Sequence, residues 1–299
     1  MKVIYRAEEP RFGGKDKTMR FEFIKIQCSG NDYICVDCSE NAIACPSEIA
    51  RRLCLRRFSV GADGLVLVFP SEIADARIEI FNADGSEAKM CGNAIRGVAK
   101  YLYESGKIKK TELSIETVSG AKQLFLITER GRVDRVKINM GPVKILPYIK
   151  KIIFENKEYF FRCVLTGNFH AVTFVGNVRD FPVERIGSVV ENSSLFSENP
   201  NVEFIRASGG NEIEMRVWEK GSGETYSCGT GAVAAAAVFS AEAGLSEPVT
   251  VHVRGGDLRV FFEKDGSAVL LEIISIRISV IGSSMRLRQR SYQNTTMIY

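Results

Sequence analysis

Met90-Cys91-Gly92-Asn93-Ala94 and Ser227-Cys228-Gly229-Thr230-Gly231 are two copies of one local design: a cysteine, a glycine and the start of a helical pattern. The cysteines are offset by 137 residues (228 − 91). The same offset carries Gly30-Asn31 onto Gly167-Asn168, Gly64 onto Asn201, Asn82 onto Glu219, Glu87 onto Glu224 and Gly92 onto Gly229, with no gap. Agreement of several polar positions at one long offset marks an internal duplication far longer than a solenoid repeat. The chain therefore reads as two similar lobes, each delivering one cysteine loop to a shared cleft.

The surrounding pattern gives the fold class. Ala76 to Ile80, Leu113 to Thr117, Val133 to Ile138 and Glu212 to Val217 alternate with a period of two, as half-buried strands do. Helical spacing occurs at Pro46 to Arg57, Asn93 to Glu104 and Thr230 to Ala243. The second stops at Ser105-Gly106 and the third at Ala243-Gly244. The third carries Ala232, Ala234, Ala235, Ala236 and Ala237 and no charge before Glu242, which suits a helix enclosed by sheet. These patterns predict an α+β fold of two pseudo-symmetric lobes, each a mostly antiparallel sheet or barrel around a central helix. Asn139-Met140-Gly141-Pro142 is the expected hinge between them.

Composition narrows the function. With 299 residues and 45% hydrophobic content, the chain can bury a large core and fits two domains better than one. A net charge of +4 is no basic stripe, and Arg286, Arg288 and Arg290 read as a solvated tail, so no nucleic-acid partner is expected. The longest apolar candidate, Ala232 to Phe239, is too short to cross a membrane, and no apolar leader opens the chain. A cytoplasmic protein without a membrane partner is expected. Cys35-Val36-Asp37-Cys38 has the spacing of a zinc or redox pair. It lacks a second such pair, and the chain's two histidines, His170 and His252, are distant in sequence; ordinary reduced cysteines and no metal are expected.

A cysteine at a helix start meets unpaired backbone N–H groups and a partial positive charge, which favour thiolate and can also hold a carboxylate. That field lowers a thiol pKa by less than about one unit, so side-chain partners are needed as well. Two are available: His170, which would favour thiolate, and Glu219, which would keep a thiol protonated or take its proton. Two unequal thiols on opposite sides of one carbon can remove a proton from one face and return one to the other, inverting a stereocentre without a cofactor. The backbone amides of Gly92, Asn93, Gly229 and Thr230 would converge on a substrate carboxylate and stabilise the charge that builds beside it. A disulfide oxidoreductase fits less well, because its cysteines normally lie close in sequence. A non-catalytic binding protein of the same fold would be expected to lack a cysteine or its partner, and none is missing.

At these residues the chain resembles the diaminopimelate epimerase family. The resemblance runs from about Phe21 to about Val269 and is carried by Ser29-Gly30-Asn31-Asp32-Tyr33, Gly61-Ala62-Asp63-Gly64-Leu65, Asn82-Ala83-Asp84-Gly85-Ser86, Cys91-Gly92-Asn93, Gly167-Asn168-Phe169-His170, Asn201-Val202-Glu203-Phe204, and Glu219 through Glu224-Thr225 to Cys228-Gly229-Thr230-Gly231. Proline racemases share the two-thiol logic but differ around the first cysteine. The resemblance implies epimerisation of LL-2,6-diaminopimelate to the meso isomer, with Cys91 and Cys228 as the acid/base pair tuned by His170 and Glu219. It also implies that Asn31, Asn82, Asn168, Asn201 and Glu219 hold the amino-acid substrate. Position 64, often a substrate-contacting side chain in the family, is glycine here and offers only backbone. The lobes are expected at 1–135, completed by a returning segment at 275–299, and at 136–274, with a homodimer as the candidate assembly.

The chain departs from the family pattern in several places. Lys220 stands where arginine is usual after the glutamate, losing the bidentate fork that suits a distal carboxylate, so a racemase for another amino acid is the alternative activity. Phe169 replaces the usual proline before His170, and Gly97 the usual cysteine in the first central helix. The first 18 residues precede the usual start, with Met19 as the expected initiator, and the tail from about Leu270 lacks the family's closing Gly-Pro-Ala turn.

Overall fold

A computed structural model of the chain describes residues 22–40, 42–88 and 90–272, together with short strands at Thr18–Met19, Arg277–Ser279 and Leu287–Arg288. The remaining N-terminal extension and C-terminal tail lie outside the described residues, and with them the expectations placed there.

The duplication extends to strand register. In the first lobe Asn31–Asp37 runs parallel to Gly64–Phe69, with Tyr33 opposite Gly64, and Gly64–Phe69 pairs antiparallel with Ala76–Asn82, with Gly64 opposite Asn82. In the second, Phe169–Phe174 runs parallel to Asn201–Gly209, with His170 opposite Asn201, and Asn201–Gly209 pairs antiparallel with Glu212–Glu219, with Val202 opposite Trp218. The following pairs, Ile80 with Ala88 and Val217 with Thr225, are also 137 residues apart. Beyond the central helices the offset falls to 136, as the partners Ile115 of Ala76 and Val251 of Ile213 show. Two lobes with one register place their side chains in equivalent positions.

Four helices complete the described fold: α1 (Pro46–Leu53), α2 (Gly92–Glu104), α3 (Val183–Glu191) and α4 (Gly229–Ala243). α2 and α4 are the expected central helices. Every residue of α4 from Gly229 to Phe239 is buried, and the helix ends on Gly244 in the left-handed conformation that glycine adopts most easily. α1 is shorter than its pattern suggested, ending at Leu53 rather than Arg57, which itself has a positive φ of 73°. α3 was not expected from local pattern. It begins 137 residues after α1 and buries Val183, Ile186 and Val190 on one face.

Strand alternation sorts the core into an inner and two outer layers. Tyr33, Cys35, Val66 and Ile80 point inward with α2, while Val172, Ile205, Met215 and Val217 point inward with α4, and all belong to one continuous cluster. The alternate neighbours Ile34, Val36, Leu65 and Leu67 face outward against α1, and Phe161, Val202 and Phe204 against α3. Burial of each such aliphatic or aromatic side chain is worth about 1.5–3 kcal/mol.

The expected hinge at Asn139–Pro142 is a correction. These residues end the strand Arg132–Pro142, which pairs antiparallel with Ser267–Glu272 across a bulge at Ala268/Val269. Gly141 has φ 83° and its N–H bonds the Asn139 side chain at 2.8 Å, so Gly-Pro bends a paired strand and does not form a free linker. Arg277–Ser279 pairs with Lys25–Gln27 at the start of the chain.

Candidate active site between two helix starts

The inward parity that builds the core also builds the site. Asn31, Gly64 and Asn82 precede or follow inward-facing core positions on the first lobe's strands, as Asn168, Asn201 and Glu219 do on the second. Each stands at a strand end, where the apolar layer gives way to polar side chains.

The two cysteines cap α2 and α4 with nearly the same extended backbone, φ −141° and ψ 112° at Cys91, φ −130° and ψ 116° at Cys228. The first backbone bonds of the helices are Ile95 N–H to Cys91 O and Ala232 N–H to Cys228 O. The amides of Gly92, Asn93, Gly229 and Thr230 precede them and carry the positive end of each helix. The helix starts also meet. A Cβ on Gly92 would lie 3.8 Å from Met140 Cε and 3.5 Å from Arg96 Nη1, and one on Gly229 would lie 3.8 and 3.7 Å from the same atoms. Asn93 ties the loops together, its Nδ2 donating to Ser227 O at 3.3 Å and its Oδ1 accepting from Arg96 at 2.6 Å. The Asn93 side chain is thus committed to structure.

The thiols have different neighbours. The Tyr33 hydroxyl lies 3.0 Å from Cys91 Sγ. Burial pushes the Cys91 thiol up, opposed by that hydroxyl and by the nearby Ala94 and Asn93 amides. Cys228 is 6% exposed and lies 3.4 Å from Thr230 Oγ1 and from the Gly231 amide. Burial drives its thiol well above the usual range, reinforced by the Glu219 and Glu203 carboxylates.

Glu219 links the two half-sites. Thr225 Oγ1 donates to it at 2.5 Å, the Cys228 thiol hydrogen-bonds it, and its charge bears on Cys91 as well. Burial raises its pKa against those hydrogen bonds. His170 does not reach a sulfur by hydrogen bond. Its Nδ1 lies 2.8 Å from Glu203 Oε1, both residues being fully buried, while His170 Nε2 and Glu203 Oε2 have no hydrogen-bond partner among the described residues. Gly231 must be glycine here, because a Cβ would come within 2.6 Å of Glu203 Oε1.

The other expected residues take distinct places. Asn31 is buried with its Oδ1 unpartnered, and Asn168 is exposed. Asn82 Nδ2 donates to Ser86 Oγ at 3.0 Å. Asn201 Oδ1 accepts from the Lys220 backbone N–H at 2.9 Å, and the Lys220 side chain is exposed. Gly64 is buried between Tyr33 and Asn82, where a Cβ would meet the Phe81 carbonyl oxygen at 2.8 Å.

Two departures from the family pattern have a packing explanation. A Cβ at Gly97 would lie 2.4 Å from Ile26 Cγ2 and 2.8 Å from Cys28 Sγ, so those side chains fill the space a larger residue would need. Phe169 is buried edge-on to Phe196, with centroids 6.1 Å apart. No cysteine is in a disulfide, and burial pushes Cys38, Cys54 and Cys163 up to about 11.

Sequence reasoning missed Tyr33 and Glu203. Both lie inside quoted motifs, and the offset flags Tyr33 as the first-lobe counterpart of His170 and Val66 as that of Glu203. A tyrosine in a strand reads as core, and a glutamate among Val202 and Phe204 reads as a solvent face; only the tertiary contacts reverse both.

Solved structures share this arrangement. They include a probable proline racemase from Agrobacterium radiobacter K84 (TM-score 0.69, 17% identity, 88% of this chain and 91% of that one) and a hydroxyproline epimerase from Agrobacterium vitis (TM-score 0.69, 17% identity, 90% and 93%). At that identity the likeness is one of fold alone, and it defines the fold class of the chain. Sequence narrows the class. The profile of the diaminopimelate epimerase family matches residues 23–146 and 162–275. Diaminopimelate epimerases from Acetivibrio thermocellus (42% identical over 269 residues, 86% of this chain and 96% of the relative) and Methanococcus maripaludis strain C5 (41% over 257 residues, 82% and 93%) align along most of both chains. The chain belongs to the diaminopimelate epimerase family.

Proposed function

We propose that the protein converts LL-2,6-diaminopimelate to the meso isomer by cofactor-independent proton transfer between Cys91 and Cys228, in the service of lysine and cell-wall precursor synthesis. The observation that carries this reading is the pair of cysteines capping equivalent, converging helix starts. A thiolate takes the α-hydrogen as a proton, leaving the electron pair delocalised into the adjoining carboxylate, and the opposite thiol delivers a proton to the other face. The thiols end with their protonation states exchanged. The amides of Gly92, Asn93, Gly229 and Thr230 stabilise the growing charge on the carboxylate. Asn31, Asn82, Asn168, Asn201 and Glu219 hold the amino and carboxylate groups, Gly64 offers only its backbone, and Lys220 meets the distal carboxylate as a point charge. Glu219 sets the unequal acidity of the thiols, with His170 acting through Glu203.

No helix among the described residues is long and apolar enough to cross a membrane. A cytoplasmic enzyme acting on a free amino acid, and assembling as a homodimer, fits the reading. The test is α-hydrogen exchange from deuterated water into LL-2,6-diaminopimelate, with reductant present and after exhaustive dialysis against chelator. Incorporation with inversion supports the proposal, whereas inert substrate overturns it. The exposed Lys220 favours one second reading, a racemase for another amino acid, which turnover of monocarboxylic amino acids in place of diaminopimelate would establish.

A further inference from the structure

We infer that Tyr33 is a positioning residue for Cys91, its phenolic O–H donating to the sulfur and stabilising the thiolate. The inference rests on the proposed proton-transfer role of Cys91 and adds a group that assists it. Tyr33 is 4% exposed and lies on the inward face of its strand, with its hydroxyl 3.0 Å from Cys91 Sγ. The neighbouring strand packs closely beside this ring. Gly64 sits opposite Tyr33, and a Cβ there would be 3.5 Å from the Tyr33 ring while striking the Phe81 carbonyl.

Position 33 is the counterpart of position 170, because the Tyr33/Gly64 and His170/Asn201 pairs share one register. The duplicated backbone aims both side chains at a central helix, yet the chemistry differs. Histidine pairs with a buried glutamate, while tyrosine reaches the sulfur itself. Burial first, and then the nearby Cys91 charge, hold the Tyr33 phenol well above its usual range. It therefore stays a neutral donor. A neutral donor favours the thiolate without competing for its charge, and hydrogen bonds to ionised groups are the stronger kind. A merely structural tyrosine would need a partner for its hydroxyl but would leave the titration of the sulfur unchanged.

The test uses the full-length protein without substrate. Alkylation of Cys91 by iodoacetamide is followed against pH, with the Cys91 peptide quantified by mass spectrometry. Tyr33→Phe keeps the ring and removes the donor. The expected result is a midpoint displaced to higher pH and alkylation about tenfold slower below it, with the Cys228 profile displaced less. An unchanged Cys91 profile in a folded variant overturns the inference. Should Tyr33→Phe fail to fold, a fluorinated tyrosine at position 33, a stronger donor of nearly the same shape, is expected to move the midpoint to lower pH. Absence of that movement is equally fatal. Because alkylation is read without turnover, failure of the enzyme to process diaminopimelate would leave this result intact.

Discussion

Cys91 and Cys228 begin equivalent helices on almost the same backbone, but the groups around them are not equivalent. The first-lobe sulfur has a phenol beside it, and Val66 stands at the strand position equivalent to Glu203. The second-lobe sulfur has Glu219 and Glu203 beside it, with Glu203 paired to His170 beneath the first turn of α4. A duplicated backbone places two thiols at converging helix starts, and the side chains around them are unlike. A fully symmetric pair would have equivalent surroundings, and the hydrogen-bonded His170–Glu203 pair buried in only one lobe removes that equivalence.

The comparison breaks most severely if one thiol suffices. Cys91→Ala and Cys228→Ala are each expected to lower kcat for epimerisation by at least about 10³-fold, since neither sulfur can serve both faces. Near-normal turnover in either variant would sink the two-thiol mechanism.

The next test sets Glu203 against its counterpart Val66, both fully buried. Glu203→Ala strands His170 in the interior and should cost about 3–5 kcal/mol in urea-unfolding stability. Val66→Ala removes only apolar volume and should cost about 1–3 kcal/mol. Equal losses would show that the buried pair contributes no more than packing.

Lys220 sharpens the comparison at the rim. Lys220→Ala should raise the Michaelis constant for diaminopimelate by an amount equivalent to about 1.5–3 kcal/mol, while Lys220→Arg should retain or tighten binding. An unchanged constant in the alanine variant removes Lys220 from the site. New activity on monocarboxylic amino acids would favour the racemase reading.

The smallest effect lies outside the cleft, where His252 stands in the strand equivalent to the one carrying Glu116. Its Nδ1 is 2.8 Å from Asp257 and its Nε2 3.1 Å from Glu212. Burial opposes its charge, but the two carboxylates outweigh burial and raise its pKa. The imidazolium therefore adds stability that is fully present below the unfolded value, about 6.5, and fades as pH rises through the folded one. Because the ring is partly exposed, the increment should be under about 1 kcal/mol. His252→Asn should flatten the difference in unfolding midpoint between acid and mildly alkaline pH; an unaltered difference places its source elsewhere.

Much of this architecture was legible because duplication and alternation are properties of the chain itself. The offset of 137 paired Cys91 with Cys228 and Asn31 with Asn168, and the period of two marked the inward strand faces. Applied further, the same offset carries Pro46 onto Val183 and would have found α3, whose nine residues are too short a run for local periodicity to single out. The Gly-Pro hinge was misread for a different reason. Glycine and proline signal a bend, but whether a bent segment is a linker or a bulged strand depends on a partner strand about 130 residues away.

The amino-acid sequence alone thus determined the two-lobed α+β plan and the paired helix starts, because periodicity and side-chain chemistry are local and the repeat is a matter of counting. The tertiary structure alone decided which polar groups touch. It brought Tyr33 to Cys91, closed Glu203 onto His170 under Gly231, and committed the Asn93 side chain to the facing loop. Those assignments rest on hydrogen bonds a few ångströms long between residues 33 to 134 positions apart. Nothing in the spacing of residues along a chain encodes such distances until the strands have paired and excluded water from between them.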